Sequence, residues 1–471
     1  MNVALKTSMK VGQRAGWLVL ALLAAGSTFG AASSTTDTAA LATQVMRRVA
    51  AEAGFNGAVV LMREGEVVFR HAVGLAQRNP DRPFTVDTPS DGGSLAKTLT
   101  AALVWELAAE GRLSLDDPVT RHLPDYPYPE HRVRTLVSHR SGLPDYDFFD
   151  AELKSGKPLG TPDLLAGVVQ RKPADLRPQG VEVEYSNLGF DFAALIVERI
   201  TGQGIGTVLR ERYFARLGMA GAFARPARFA DFPVPRTAGY MQRGGRWQPH
   251  DSFDGEGFVG ASNVHASALD WARWGDAFAR GGVMPAERLE AGLREPMLAS
   301  GMDSVLTRLS WYCDGTRQRC HYTGHYNGFY AQVWWDRTRR EVVAYVSNST
   351  LPAWQCARLT RDLIDALAGR APAAEPLPKP APVKARELRN WAGRYRAPGL
   401  GEVVIDAGGP RPTLRVAGGE RASLFPVPGG VFYAPTLDLW LAFGGTPREP
   451  RLHLRSVFLT TDARREPAGP T

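Results

Sequence analysis

The sequence predicts an α+β chain: an antiparallel sheet flanked by helices, a helical region beside it, and a small all-β domain at the C-terminal end. Three observations carry this. Strand-like runs at Gly57–Arg63 and Val67–Gly74 stand near the start, and runs at Phe329–Trp335 and Glu341–Ser347 stand far downstream. Helical patterns lie between the two sets and after the second, which suggests one sheet joining both ends of a domain. An Ala/Pro-rich stretch follows, and beyond it short β-rich runs alternate with Gly and Pro.

Length and composition set the outer bounds. A chain of 471 residues, 44% hydrophobic and 22% charged, can bury full cores, so neither disorder nor a disulfide-stapled miniprotein fits. At roughly 100–200 residues per domain it allows about two to four domains. The net charge of +8 is spread without a Lys/Arg block or an aromatic-basic stripe, which argues against a nucleic-acid partner.

Residues 1–32 read as a secretory signal. Lys6, Lys10 and Arg14 precede the apolar run from Trp17 to Ala25, and small residues around Gly30-Ala31-Ala32 offer a cleavage site. The apolar run is well short of the ~20 residues that span a bilayer. No later segment reads as a membrane span, so the expected location is periplasmic or secreted. Cys313 and Cys320 flank a turn-like Asp-Gly-Thr-Arg-Gln-Arg, and an oxidising compartment would bridge them across that hairpin. Cys356 sits in an apolar helical stretch and reads as a buried thiol.

Taken in order, the periodicity predicts a helix over Ala39–Ala53, then the first hairpin with its turn at Glu64-Gly65-Glu66. A helix over Ser94–Glu110 follows, with Leu95, Leu99, Leu103 and Leu107 every fourth residue and Gly111 closing it. Residues 115–180 look loop-rich with short helices. Further helices are predicted over Asp191–Thr201 and Ala266–Arg280, then the last hairpin and a helix over Trp354–Ala368. These elements make a domain over residues 38–369. Residues 370–386 form a semi-rigid linker, and residues 387–471 a small antiparallel barrel or sandwich.

Chemistry concentrates in three places. Of 56 basic residues only eight are Lys, and Lys97 is the one placed inside an apolar helix. In Ser94-Leu95-Ala96-Lys97 the hydroxyl and the amine share a helix face at its first turn. A Lys can lose its proton when desolvated and an Arg cannot, which accounts for Lys in an Arg-rich chain. Second, Tyr185-Ser186-Asn187 precedes a helix. A phenol beside an amine can move protons, and the Asn amide can orient the Lys and a substrate carbonyl. Third, Tyr322-Thr323-Gly324-His325 lies in a strand whose Gly lets another backbone approach. Each piece alone also fits a purely structural role.

Together and in this order the three resemble the serine β-lactamase and penicillin-binding protein superfamily, in its class C-like branch of D-alanyl-D-alanine carboxypeptidases, D-aminopeptidases and esterases. Arg134-Thr-Leu-Val-Ser-His-Arg-Ser-Gly-Leu-Pro and Leu113-Ser-Leu-Asp-Asp-Pro-Val also match, and the likeness covers roughly residues 40–368. It implies a β-lactamase/transpeptidase-like fold and an exported serine hydrolase working through a Ser94 acyl-enzyme. Lys97 would activate the serine, Tyr185 would shuttle protons, and Asn187 would position Lys97 and the substrate amide. The backbone N–H groups of Ser94 and His325 would form the oxyanion hole, and Tyr322, Thr323, Gly324 and His325 would bind substrate. The implied substrate is a small ester, amide or D-amino-acid peptide, or a β-lactam; no metal or cofactor is implied. The segment opening Trp391-Ala-Gly-Arg-Tyr395 resembles a lipocalin-like barrel.

One departure stands out. The family carries Lys or His where the spacing of Gly324, Gly328 and Phe329 places Tyr322, and in the alternative register His321 is the motif residue. A neutral Tyr puts recognition of a terminal carboxylate in doubt, along with efficient β-lactam turnover, unless His325 compensates. The alternative function is a non-catalytic penicillin-binding-like protein that binds cell-wall peptide or a partner. Two other motifs fail on context. Gly92-Gly93-Ser94 lacks the strand that an α/β-hydrolase elbow requires. His321 and His325 are four apart but have Gly324 between them and no Glu, unlike a zinc-protease helix.

Overall fold

The computed structural model describes residues 35–51, 55–172, 185–243, 245–294, 304–314, 316–351 and 353–372. Beyond residue 390 it describes 391–397, 401–408, 412–416, 422–427, 431–434, 439–446, 449–455 and 460–466. The leader expected over residues 1–32 and most of the Ala/Pro-rich stretch therefore lie outside the described residues.

Helix α1 (Thr35–Ala51) leads into the hairpin of β1 (Gly57–Arg63) and β2 (Glu66–Val73). Much later come β3 (Ser304–Leu306), β4 (Tyr312–Asp314), β5 (Arg319–Tyr326), β6 (Phe329–Asp336) and β7 (Glu341–Ser347). These strands form a seven-stranded sheet in the order β3-β4-β5-β6-β7-β1-β2. The first hairpin docks on the last one, with β1 and β7 antiparallel from Gly57↔Ser347 to Arg63↔Glu341. The two ends of this part of the chain thus share one sheet, as the order of elements predicts. β1, β6 and β7 are near-continuous apolar runs because both of their faces are covered.

On one face, Ala42, Val45 and Met46 of α1 and Leu359 and Leu363 of the last helix, Ala353–Leu367, pack on Val59, Leu61, Val343 and Tyr345. The other face carries Ala58, Val60, Val333 and Val342, against Trp271, Trp274 and Phe278 of the helix Ala268–Ala279. The helical region lies on this second side. Its two long members are Ala96–Ala109 and Leu188–Thr201, with shorter helices at Val119–His122, Val133–Leu136 and Thr161–Arg171. Ala96–Ala109 is buried on nearly every side, so its leucines do not mark a single apolar face.

Cys313 and Cys320 are directly opposed on β4 and β5 and joined by a disulfide. Cys356 is a buried thiol whose pKa burial pushes up to about 12. Among the described residues no single helix is long and apolar enough to cross a membrane.

The C-terminal strands are β8 (Gly393–Ala397), β9 (Gly401–Asp406), β10 (Thr413–Val416), β11 (Ala422–Ser423) and β12 (Phe425–Val427). They continue as β13 (Val431–Ala434), β14 (Leu439–Thr446), β15 (Glu449–Arg455) and β16 (Thr460–Arg465). They form one antiparallel sheet in the order β11-β10-β9-β8-β16-β15-β14-β13-β12. The first strand pairs with the last, and the two edge strands are separated in the chain only by Leu424, so the sheet is a nearly closed barrel. Its interior is filled by Tyr395, Val403, Ile405, Leu414, Leu441, Leu452 and Leu454.

Candidate active site

Ser94 lies in a single tight turn, Gly93–Leu95, that runs directly into the helix Ala96–Ala109. That places Ser94 just ahead of the helix and Lys97 in its first turn, on the same side. Two contacts fix the approach to the serine. Ser90-Asp91 pairs with Val264–Ala266 as a short strand, and Asp91 Oδ1 accepts the Gly93 N–H at 2.7 Å. Gly93 has φ +49°, a conformation that favours glycine. Asp91 is fully buried, and burial pushes its carboxyl up to about 7 against the lowering effect of the Gly93 N–H.

Lys97 is wholly buried. Its Nζ lies 3.1 Å from Ser94 Oγ, 2.6 Å from Asn187 Oδ1 and 3.0 Å from the Ala261 carbonyl oxygen. The two carbonyl oxygens can only accept. They take two N–H bonds and leave the third direction, toward Ser94, for either a lone pair or a proton. A proton can therefore pass between Ser94 Oγ and Lys97 Nζ without rearranging the other contacts. Tyr185 Oη is 2.5 Å from Ser94 Oγ, and its ring centroid is 4.8 Å from Lys97 Nζ. The structure thus brings Ser94, Lys97, Tyr185 and Asn187 into one hydrogen-bonded cluster.

Supporting groups complete the arrangement, and sequence reasoning did not single them out. Asn187 Nδ2 donates to both oxygens of Asp145, at 2.8 and 3.1 Å. Asp191 Oδ1 accepts from the Ala261 N–H and Oδ2 from the Tyr146 hydroxyl, both at 2.8 Å, which holds the peptide that faces Lys97. Burial pushes the Asp191 carboxyl up to about 6. The loop carrying Ala261 is anchored by a fully buried pair, Arg225 with Glu256 at 3.1 Å. His139 stacks on the Tyr185 ring with centroids 4.4 Å apart. Its pKa falls to about 3 through burial and then Lys97, so it is neutral, and its Nδ1 accepts the Ser186 N–H. Only His139 carried a signal, inside the Ser138-His139-Arg140-Ser141-Gly142 stretch. The others act through backbone groups or distant loops.

The third motif lies on β5, against the serine turn. A Cβ on Gly324 would come within 1.7 Å of the Gly92 carbonyl oxygen, and one on Gly93 within 2.8 Å of the His325 nitrogen. Backbone meets backbone here, which is why both positions are glycine. Tyr326 and Phe329 face each other across a two-residue loop. Such a pair exchanges hydrogen bonds, so the next residue, His325, turns its N–H away from β6 and toward the serine turn. Strand β4 does not reach this far; its pairing with β5 stops at His321.

Tyr322 shares the face of Gly324 and is 2% exposed, with its ring 5.5 Å from that of Tyr312. Burial and the Tyr185 phenol push its pKa far above the ordinary value, so it stays neutral. His321 occupies the opposite face, and burial lowers its pKa to about 3. Partial burial, then His250, also lowers His325. Neither register therefore supplies a cation at neutral pH. Thr323 Oγ1 donates to Gln332 Oε1 at 2.6 Å on β6.

The chain is similar to several characterised proteins. It is 30% identical to penicillin-binding protein 4* of Bacillus subtilis over 166 residues, 35% of this chain and 37% of that protein. It is 31% identical to a D-aminopeptidase of Brucella anthropi over 185 residues, 39% of this chain and 35% of that one. The chain thus spans about a third of the length of the curated relatives it matches. Among solved structures, the octameric penicillin-binding protein homologue of Pyrococcus abyssi aligns with a TM-score of 0.61 at 18% identity, covering 90% of this chain and 99% of that one. The D-amino acid amidase of Ochrobactrum anthropi aligns at 0.57 and 21%, covering 71% and 99%. EstCE1, a hydrolase with promiscuous acyltransferase activity, aligns at 0.60 and 18%, covering 71% and 99%. At these identities the structural likenesses establish the β-lactamase/transpeptidase-like fold. With a sequence model of the Beta-lactamase family matching residues 42–368, the greater part of the chain, the protein belongs to the β-lactamase family within the superfamily of serine β-lactamases and penicillin-binding proteins.

Proposed function

We propose that the protein is an exported serine hydrolase that cleaves an ester or amide through an acyl-enzyme on Ser94. The observation that carries this is the shell of Lys97: a buried amine with two carbonyl acceptors and its third direction aimed at Ser94 Oγ, 3.1 Å away. In the forward step Lys97 takes the Ser94 proton as Oγ bonds to the substrate carbonyl carbon. The N–H groups of Ser94 and His325 hold the oxyanion. Tyr185, at 2.5 Å from Ser94 Oγ, passes a proton to the departing amine or alcohol as its bond to carbon breaks. Water then adds to the acyl group, and the proton it loses returns through the same groups as Ser94 is released.

The substrate class follows from the third motif and the relatives together. Tyr322, His321 and His325 are all neutral, so no residue of this motif offers a charge to a free terminal carboxylate. That favours substrates whose end at this position is uncharged. The D-aminopeptidase and D-amino acid amidase relatives point to D-amino-acid amides and small peptides, and EstCE1 to esters. A leader over residues 1–32 and the Cys313–Cys320 bridge support a periplasmic or secreted location.

The test is turnover of D- and L-amino-acid p-nitroanilides, p-nitrophenyl esters and a D-alanyl-D-alanine dipeptide by wild type and Ser94→Ala. Hydrolysis of amide or ester by wild type alone supports the reading, and equal rates in both proteins refute it. One observation, the cation-free third motif, keeps the non-catalytic binder as the alternative. A wild type inert toward every substrate would favour that alternative.

A further inference from the structure

We propose that Asp145 is a positioning residue that dictates which way the Asn187 amide faces, and thereby keeps the Lys97 lone pair directed at Ser94. The assignment rests on the hydrolase reading above. An Asn side chain is nearly symmetric in shape, so its oxygen and nitrogen exchange places at little steric cost. In the form that receives the serine proton Lys97 does not decide between them: a neutral amine can donate to Oδ1 or accept from Nδ2. The decision comes from the other side, where Asp145 presents two oxygens to one nitrogen, at 2.8 and 3.1 Å. A carboxylate has only acceptors, so Nδ2 must face it and Oδ1 must face Lys97. The carboxylate is itself oriented by the Tyr146 N–H, which donates to Oδ1 at 2.8 Å.

The consequence for the reaction is direct. With Asn187 Oδ1 and Ala261 O taking two N–H bonds, the only direction left on Lys97 is toward Ser94. If Asn187 turned over, its N–H would occupy the Lys97 lone pair and an amine N–H would point at Ser94 Oγ. The amine could then no longer receive the serine proton.

Asp145→Asn places an amino group where Oδ2 stands 3.1 Å from Asn187 Nδ2, while the Tyr146 N–H keeps an oxygen at Oδ1. One donor and one acceptor then face Asn187, neither of its orientations is fully matched, and the strict choice between them is lost. Asp145→Glu keeps an acceptor-only group at the cost of one methylene. An electrostatic role therefore predicts that the same-sized Asn harms more than the bulkier Glu, the reverse of what a packing role predicts. The experiment is steady-state hydrolysis of a p-nitrophenyl ester by wild type, Asp145→Asn, Asp145→Glu and Ser94→Ala, with melting curves for each. We expect Asn to lower kcat several-fold with KM within about twofold, and Glu to retain more activity than Asn. If the Asn variant does not fold, Asp145→Gln against Asp145→Glu carries the same comparison, with Gln expected to be the slower. An amide variant as fast as wild type, or a Glu variant slower than its amide counterpart, overturns the assignment while the hydrolase reading stands. A wild type with no turnover overturns both.

Discussion

Asp91→Asn is expected to flatten the pH dependence of stability. The Asp91 carboxyl is fully buried behind the serine turn, and desolvation outweighs the Gly93 N–H and Arg225, which favour its charge, to push it from 3.8 up to about 7. Glu256 and Asp251 push in the same direction as burial. Because the folded chain holds this proton more tightly than the unfolded chain, stability falls as pH rises from about 4 to about 7, and is level above that. From pH 5 to pH 7 the folded chain keeps a proton that the unfolded chain has lost. At about 1.4 kcal/mol per pH unit, this group therefore costs wild type about 3 kcal/mol between pH 5 and pH 8. Asn retains an oxygen for the Gly93 N–H and has no proton to lose. The assay is urea unfolding of wild type and variant at pH 5 and pH 8. The stability difference should shift by about 3 kcal/mol in favour of the variant at the higher pH. Parallel pH profiles would refute the argument that Asp91 is held protonated by burial.

Three further outcomes follow from the geometry. Lys97→Arg should lower kcat by about 10²–10⁴-fold in the ester assay, because a guanidinium cannot accept the serine proton. Gly324→Ala should cost at least about a hundred-fold in activity, since its Cβ would stand 1.7 Å from the Gly92 carbonyl oxygen and no side-chain rotation relieves that contact. Replacing Cys313 and Cys320 together by Ala removes a bridge spanning a sequence separation of 7, and urea unfolding should show a loss of about 2–3 kcal/mol.

Much of this architecture was legible in the residues, and the illegible parts have physical reasons. Ser94, Lys97, Tyr185 and Asn187 are legible through the ordered combination of motifs that resembles the family, since helical spacing, the scarcity of Lys and a place before a helix each also fit a structural role. The central hairpins are long apolar runs broken by short polar turns, and they appear within a residue or two of their predicted limits. Ser90-Asp91 and Val264–Ala266 are too short to show a period, and they form only because tertiary pairing holds them. The predicted helix over Ala266–Arg280 accordingly starts later, at Ala268, capped by Ser267. The barrel strands β8, β11, β12 and β16 carry no run long or apolar enough to read as a strand in the sequence. β11 and β12 are three residues or fewer and pair with near neighbours, whereas β8 and β16 pair with each other across the length of the C-terminal segment. Within the site, the Ala261 carbonyl is a backbone group that no side-chain motif encodes. Asp145 is one acid among many until the fold sets it 2.8 Å from Asn187.

The central claim is that Ser94 becomes acylated. The most direct measurement is intact mass, with peptide mapping, after acid-quenching protein treated with an activated aryl ester or with a penicillin, beside Ser94→Ala. The account predicts an acyl adduct on Ser94 of wild type with the ester, and none on the variant with either reagent. No adduct with either reagent, or an equal adduct on Ser94→Ala, would contradict it.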